Sequence, residues 1–330
     1  MQHSGSSYGK SILSAHQYLL SNYQEVFILG QGLWSPWYVG NSMTGLDKEF
    51  GKERIIDSPV SEAACTGVAV GAALYGYRPI MVHPRMDFML YAVDAIVNQA
   101  AKWSPMLGGQ AHSAVTIRSI INRGGEQGAQ HSQSFHAWFA HIPGLRVVMP
   151  ATPQDARDLL IASVLCDDPV LYIDDRWLYE VEQELPPIVE MELRKEGPKI
   201  IKPGTDITLV GNSYSTHLCQ QAAEILEFQK VSCEVIDLRV INPFQSDLII
   251  HSVQKTGALC VVDGSWSCCG LAGEVIAQVV EKMNPSSLKK SPCRITLPDA
   301  PAPTSRALEV AYYPDVQQII DTIMQMIEKK

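Results

Sequence analysis

Short runs of β-branched and aliphatic residues alternate along this chain with longer stretches whose apolar positions recur every three to four residues. That alternation predicts parallel sheets joined by helical crossovers, an α/β class. In the first half, the runs predict strands at 26–29, 54–57, 79–82, 115–118, 146–149 and 170–173. Phe88, Ala92, Ile96 and Ala100 recur at near-helical spacing and predict a helix over 87–102. Another is predicted over 152–165, where Thr152 precedes Pro153 as a capping residue precedes proline at the first helical position.

The pattern stops between 181 and 200. Charge and proline without periodicity (Glu182-Gln-Glu-Leu-Pro-Pro187, then Glu190-Met-Glu-Leu-Arg-Lys-Glu-Gly-Pro198) predict a linker. A smaller α/β set follows, with strands at 207–211, 233–237, 259–263 and 294–297 and helices at 216–229 and 272–282. The expected organisation is two doubly wound, mostly parallel sheet domains, 1–180 and 201–330, joined by 181–200. In such sheets the chemistry sits in loops that follow strands.

One of those junctions is unusual. Between Asp57 and Gly76 a single carboxylate, Glu62, heads a helix whose next turns carry Gly67, Ala69, Gly71, Ala72 and Ala73. So little side-chain bulk lets another backbone or a flat ligand approach closely. A lone acid at this place is either an exposed first-turn residue favoured by the helix dipole or a buried acid with a chemical task. The segment alone leaves both readings open.

Composition narrows the function classes. Hydrophobic residues make up 46% of the 330 positions and charged residues 18%, which suits large buried elements and two domains. A net charge of −9 with no Lys/Arg cluster argues against a nucleic-acid surface. No apolar run approaches the roughly 18 residues that a membrane span needs. The opening residues Met1–Ser7 read as a polar leader rather than a signal peptide, since no apolar core follows. Eight scattered cysteines have neither zinc spacing nor a secreted framework and read as reduced, cytosolic thiols. The adjacent Cys268 and Cys269 fit no chemistry in that reading.

Several chemistries are absent. There is no phosphate-binding Gly-x-x-x-x-Gly-Lys-Ser/Thr stretch, and Gly108-Gly109 and Gly124-Gly125 do not sit in a dinucleotide pattern. No Gly-x-Ser-x-Gly elbow is present, and no histidine pair carries a third zinc ligand. What remains is a set of polar residues in predicted loops: Glu62, Asp87, Arg118, Gln130, His131, Ser132, Gln133 and His136. His131 follows a glycine-rich polar run, where a functional histidine and a satisfied structural one are both reasonable.

Taken together in order, many pieces resemble the beta subunit of the thiamine-diphosphate-dependent 2-oxo acid dehydrogenases. They include Val26-Phe-Ile-Leu-Gly30, Phe50-Gly-Lys-Glu-Arg-Ile-Ile-Asp-Ser-Pro-Val-Ser-Glu62 and Asp237-Leu-Arg-Val-Ile-Asn-Pro243. The most specific is Gln130-His-Ser-Gln-Ser-Phe-His-Ala-Trp-Phe-Ala-His-Ile-Pro-Gly-Leu-Arg-Val-Val-Met-Pro150. The resemblance implies a thiamine-diphosphate pyrimidine-binding fold followed by a transketolase C-terminal fold. It implies that Glu62 hydrogen-bonds the cofactor's aminopyrimidine nitrogen, that Phe88 packs on that ring, and that His131 is the active-site histidine. It also places the main chain near Leu165, Asp167 and Asp168 where some members hold a potassium ion.

The Gly-Asp-Gly…Asn pair that grips the diphosphate through Mg2+ is missing from this chain. An alpha-type partner is therefore expected to supply those ligands in an α2β2 assembly, with a lipoyl acyltransferase as a further partner. The expected compartment is the cytoplasm of a bacterium or archaeon, or the mitochondrial matrix of a eukaryote. A split transketolase or carboligase half that uses an aldehyde or sugar acceptor is the alternative, followed by a non-catalytic scaffold subunit.

Two departures from the family pattern bear on mechanism. Members usually carry acids after the first strand, where this chain has Leu29-Gly-Gln31-Gly-Leu-Trp-Ser-Pro-Trp37. Gln31 can hydrogen-bond but cannot relay a proton. His83-Pro-Arg-Met-Asp-Phe88 places Arg85 near the expected site, and Arg85 or Arg118 is a candidate to meet a substrate carboxylate or phosphate. A solvated or acid-paired arginine is the plain alternative for either.

Overall fold

A computed structural model describes residues 5–328, so the first four residues of the polar leader lie outside the described residues. Two compact units emerge, one made of residues up to Arg123 with Trp138–Glu196, the other of Gly124–Ala137 with Gly197 onward. The division is thus not a single cut along the chain. The segment Gly124–Ala137, which the sequence placed within the first block, groups with the second unit.

The first unit begins with α1 (Tyr8–Asn22) and β1 (Val26–Gly30), then β2 (Ile55–Asp57), α2 (Glu62–Leu74) and β3 (Arg78–His83). It continues with β4 (Thr116–Ile121), β5 (Arg146–Val148), α3 (Pro153–Leu165) and β6 (Val170–Asp175). These strands lie in the order β5-β6-β4-β3-β1-β2, and every pairing is parallel. Parallel strands covered on both faces need continuous apolar runs, and all six positions of β4 are buried. Thr152 caps α3 by accepting the Asp155 N–H at 3.1 Å, with Pro153 in the first turn.

Two expectations change in detail. The predicted helix over 87–102 is wound in three ways: α over Met86–Met89, 3-10 over Leu90–Ala92 and π over Ala95–Ala100. Its apolar steps of four exceed the α repeat; Ala92, Ile96 and Ala100 are buried, the last two in the wider π turn, whereas Phe88 is exposed. The expected linker is tethered rather than free. Glu182–Gln183 pairs antiparallel with Ser6–Ser7, Leu193 is buried, and the Tyr18 hydroxyl donates to Glu190 at 2.8 Å.

In the second unit, β7 (Lys199–Lys202), β8 (Ile207–Gly211), α4 (Ser213–Phe228) and β9 (Cys233–Asp237) precede β10 (Leu259–Trp266). Helix α5 (Leu271–Lys282), β11 (Cys293–Leu297), α6 (Arg306–Tyr312) and α7 (Val316–Glu328) complete it. The strand order is β11-β10-β8-β9-β7, parallel except for β7 against β9. Ile319, Ile320 and Ile323 of α7 join Leu218, Ala222 and Leu226 of α4 in the core over this sheet. Among the described residues, no helix is long and apolar enough to cross a membrane.

Candidate active site

Beyond the carboxyl ends of β1 and β3 the first unit opens a cavity of about 350 Å³, lined by Gln31, Tyr38, Val60, Glu62, His83, Pro84, Arg85, Phe88 and Tyr91. Parallel-sheet topology places it there, since the chain leaves each strand at that edge. Gly30, the last residue of β1, packs so closely on β3 that a Cβ would stand 2.4 Å from the Val82 carbonyl oxygen. A side chain there would push apart the two strands whose ends carry Gln31 and His83.

Glu62 opens α2 and is only 9% exposed. Burial excludes the exposed first-turn reading. The Gln31 side-chain amide donates to Glu62 Oε1 at 3.1 Å. Behind it, the buried His83 ring faces Thr66 Oγ1 across 3.1 Å from its Nε2. Burial pushes the His83 imidazolium down to about 3, so this wall of the cavity is polar but uncharged near neutrality. Phe88 and Tyr91, both exposed, give the cavity aromatic edges. Gly67 and Gly71 of α2 have open space where a Cβ would stand, while Ala69 and Ala73 are buried, so only the glycine side of this small-residue helix is uncovered within this chain.

A polar brace holds two walls of this cavity together. Arg176 donates to the Tyr38 carbonyl at 2.6 Å and to Asn122 Oδ1 at 3.1 Å. Asn122 in turn donates to the Pro84 carbonyl at 2.7 Å. The neighbouring loop is pinned by its tryptophan: the Trp34 indole N–H donates to the Ile55 carbonyl at 3.0 Å, and Lys52 sits 3.9 Å over the ring. Trp37 is 84% exposed.

The sequence candidates are thus brought together selectively. Glu62, Phe88 and Arg85 line one cavity, and burial lowers the half-buried Arg85 guanidinium from its ordinary value. Arg118 is not among them, which corrects its assignment as a substrate contact. It is fully buried on β4, donates to Asp174 at 3.0 and 2.8 Å, and gives further bonds of 2.8 Å to Ser42 and the Tyr179 hydroxyl. Burial alone would lower this guanidinium, but Asp174 outweighs it and holds the charge firmly. Sequence reasoning missed His83 as a site residue, although its position at the end of a predicted strand was the available signal.

The potassium expectation meets a different occupant. The Arg78 guanidinium donates to the Val164 and Cys166 carbonyls at 3.0 and 3.1 Å and to Asp167 at 2.8 Å. Asp168 is held by Arg146 at 2.7 Å and by Arg194 at 2.9 Å. On either side of Leu165, then, the Val164 and Cys166 carbonyls and the Asp167 and Asp168 carboxylates are held by arginines. Among the described residues, no group of three or more His, Cys, Asp or Glu side chains is arranged to hold a metal ion.

His131 lies in the segment that belongs to the second unit. Its N–H donates to the Gly128 carbonyl at 3.3 Å. The segment is tied down at both ends. Glu309 accepts the Glu126 N–H through both carboxylate oxygens at 3.2 and 3.0 Å, while Glu126 accepts the Arg306 N–H at 3.1 Å. At the other end the buried His136 ring bridges Ser134 Oγ at 2.7 Å and Asp263 Oδ1 at 2.9 Å, and Ser265 donates to the Ser134 carbonyl at 3.0 Å. Burial would raise the Asp263 carboxyl, but His136 and the Ala272 N–H hold it below the usual carboxylate range.

Comparisons with known proteins agree with this architecture. The family model for the transketolase pyrimidine-binding domain matches residues 5–181 and that for the transketolase C-terminal domain matches 198–319. The human protein named pyruvate dehydrogenase E1 component subunit beta, mitochondrial, is 35% identical over 307 residues, covering 92% of this chain and 86% of that protein. A Cupriavidus necator protein named acetoin:2,6-dichlorophenolindophenol oxidoreductase subunit beta is 38% identical over 267 residues, 81% of this chain and 78% of its own length. The solved structure of a split-gene transketolase, described as an inactive beta4 tetramer, shares the fold at a TM-score of 0.79 with 19% identity over 98% of both chains. The chain belongs to the E1 beta-subunit family of the 2-oxo acid dehydrogenases, built from a transketolase pyrimidine-binding domain followed by a transketolase C-terminal domain.

Proposed function

We propose that this chain is the beta subunit of a thiamine-diphosphate-dependent 2-oxo acid dehydrogenase, which decarboxylates its substrate and passes the acyl group to a lipoyl carrier. The observation that carries the reading is Glu62, a nearly buried carboxylate braced by Gln31 in a cavity with aromatic edges. That set fits a flat heterocycle with a ring nitrogen. When bound, thiamine diphosphate supplies the carbon nucleophile and the electron sink that decarboxylation requires.

The chain's own residues divide the remaining work. Glu62 holds or releases a proton at the oxygen that Gln31 leaves open, toward the pyrimidine nitrogen. Phe88 offers its ring to the heterocycle. An uncharged His83 keeps competing positive charge away from Glu62. Arg85 meets the substrate carboxylate, and His131 is assigned the orienting or protonation of the reacting groups.

The diphosphate and Mg2+ ligands are assigned to an alpha-type subunit in an α2β2 assembly, because this chain carries no Gly-Asp-Gly…Asn pair. Relatives named as beta subunits support a divided enzyme. A lipoyl acyltransferase is the proposed acceptor's carrier, in the cytoplasm or the mitochondrial matrix.

Co-expression with an alpha-type subunit, followed by calorimetry with thiamine diphosphate and Mg2+, tests the proposal. Tight binding by the assembled pair alone, with 2-oxo-acid-dependent reductive acylation of a lipoyl domain, is the expected outcome. Tight binding by this chain alone, or transfer to an aldehyde in place of the lipoyl group, contradicts it.

A further inference from the structure

The loop Ser267-Cys-Cys-Gly270 connects β10 to α5, and its two thiols take no part in the chemistry above. Both cysteines are exposed, whereas Cys166, Cys219, Cys233 and Cys260 are buried. Burial pushes the Cys233 thiol up to about 12, which leaves that core sulfur unreactive. The exposed pair is different. Cys268 donates its S–H toward Cys269 Sγ across 4.0 Å, so the two sulfurs face one another in solvent.

The backbone around them is fixed. Arg294 donates to the Ser267 carbonyl at 3.0 Å, and the Trp266 indole is anchored to the Ala300 carbonyl at 3.0 Å. Gly270 lies so close to the preceding strand end that a Cβ would stand 2.1 Å from the Trp266 carbonyl oxygen. Between these anchors Cys269 adopts φ 53°, a left-handed conformation costly for a residue with a side chain. A conformation held against its own preference presents two exposed sulfurs side by side.

We propose that Cys268 and Cys269 are a reversible vicinal dithiol, a modification site that low-molecular-weight disulfides of the glutathione type close into a ring around the shared peptide bond. One cysteine thiolate attacks oxidised glutathione, forming a protein–glutathione disulfide and releasing one glutathione. Its neighbour then attacks the protein sulfur of that bond, forms the Sγ–Sγ bond and releases the second glutathione. The two protein protons leave on the two glutathiones, and the two electrons lost by the cysteines reduce the glutathione disulfide. Adjacent Cα atoms stand about 3.8 Å apart across a trans peptide, short of the roughly 4.4–6.8 Å that an unstrained disulfide spans. The closed ring is therefore strained and easily reduced, which suits a labile bond rather than a structural one.

Intact-mass analysis of the folded full chain, treated with oxidised glutathione, tests the site. The expected product has lost two hydrogens and two titratable thiols, retains no glutathione, and opens again with excess reduced glutathione. Cys268→Ser and Cys269→Ser chains keep one glutathione on the remaining sulfur under the same treatment. Stable glutathione adducts on the wild-type pair, two thiols left unreacted, or a closed bond that resists reduced glutathione would each overturn the proposal.

Discussion

The Gln31 side-chain amide donates to Glu62 Oε1 at 3.1 Å, which sets a neutral, non-titrating partner beside the carboxylate of the cavity. An amide donor occupies one carboxylate oxygen and has no proton to exchange with it. Gln31→Glu places a second carboxyl at that distance, where both cannot ionise together, and the pair then titrates with one apparent pKa raised by about one unit or more. The acid limb of the kcat–pH profile of the assembled enzyme is expected to move toward higher pH by that amount. A superimposable profile contradicts the contact.

His83 supplies a stability signature that needs no substrate. Its folded-state value of about 3 lies below the value of about 6.5 for a free imidazole, so between these limits only the unfolded chain takes up the proton. Stability is therefore full above about pH 6.5 and falls on acidification through that window, by at most about 1.4 kcal/mol per pH unit for this group. The buried His16, whose value is lowered in the same direction, adds to the effect. His83→Gln is expected to reduce the slope of stability against pH by up to one proton, measured by urea unfolding between pH 5 and 6.5. An unaltered slope places His83 in solvent.

Asp263 and His136 form a buried pair that carries the end of the His131 segment. Removing one partner of such a pair costs about 3–5 kcal/mol, because the other is left buried without its complement. Asp263→Ala is expected to fall in that range by denaturant midpoint. The depressed Asp263 carboxyl stabilises the fold above its unfolded value of about 3.9, and this contribution is lost as pH falls through the lower folded value. The variant is accordingly expected to show a shallower acid transition than the wild type below pH ~4.

Arg118 makes the opposite case from Arg85. With Asp174 it is sealed in the first unit. Arg118→Ala is expected to cost about 3–5 kcal/mol, while Arg118→Met combined with Asp174→Leu removes both charges and costs far less. Equal losses in the single and double variants would contradict a paired role, and urea midpoints separate the two outcomes.

These residues also show what a single sequence makes legible. Both sheets were readable, because strands buried on two faces carry unbroken apolar runs. Glu62 stood out because it follows a predicted strand and heads a helix of small residues, whereas Phe88 reads locally as one more apolar helix position and was singled out only by the family resemblance. Arg118 was not: its partner Asp174 lies 56 positions away, and nothing local distinguishes a buried ion pair from a ligand contact. Periodicity likewise assigned Gly124–Ala137 to the block around it. Long-range bonds such as Glu126 to Glu309 group that segment with the second unit, and no local pattern encodes them. His83 went unrecognised because burial, not residue type, fixes its charge.

Glu62 is proposed as the carboxylate through which this chain serves the cofactor, and Glu62→Gln in the assembled alpha–beta complex removes its proton exchange alone. Gln keeps the shape and the hydrogen-bonding capacity but cannot take or give up the proton. Turnover of the 2-oxo acid is predicted to fall by about 10²–10⁴-fold, with assembly by sedimentation unchanged. A variant that assembles and turns over close to the wild-type rate would show that Glu62 is not that carboxylate.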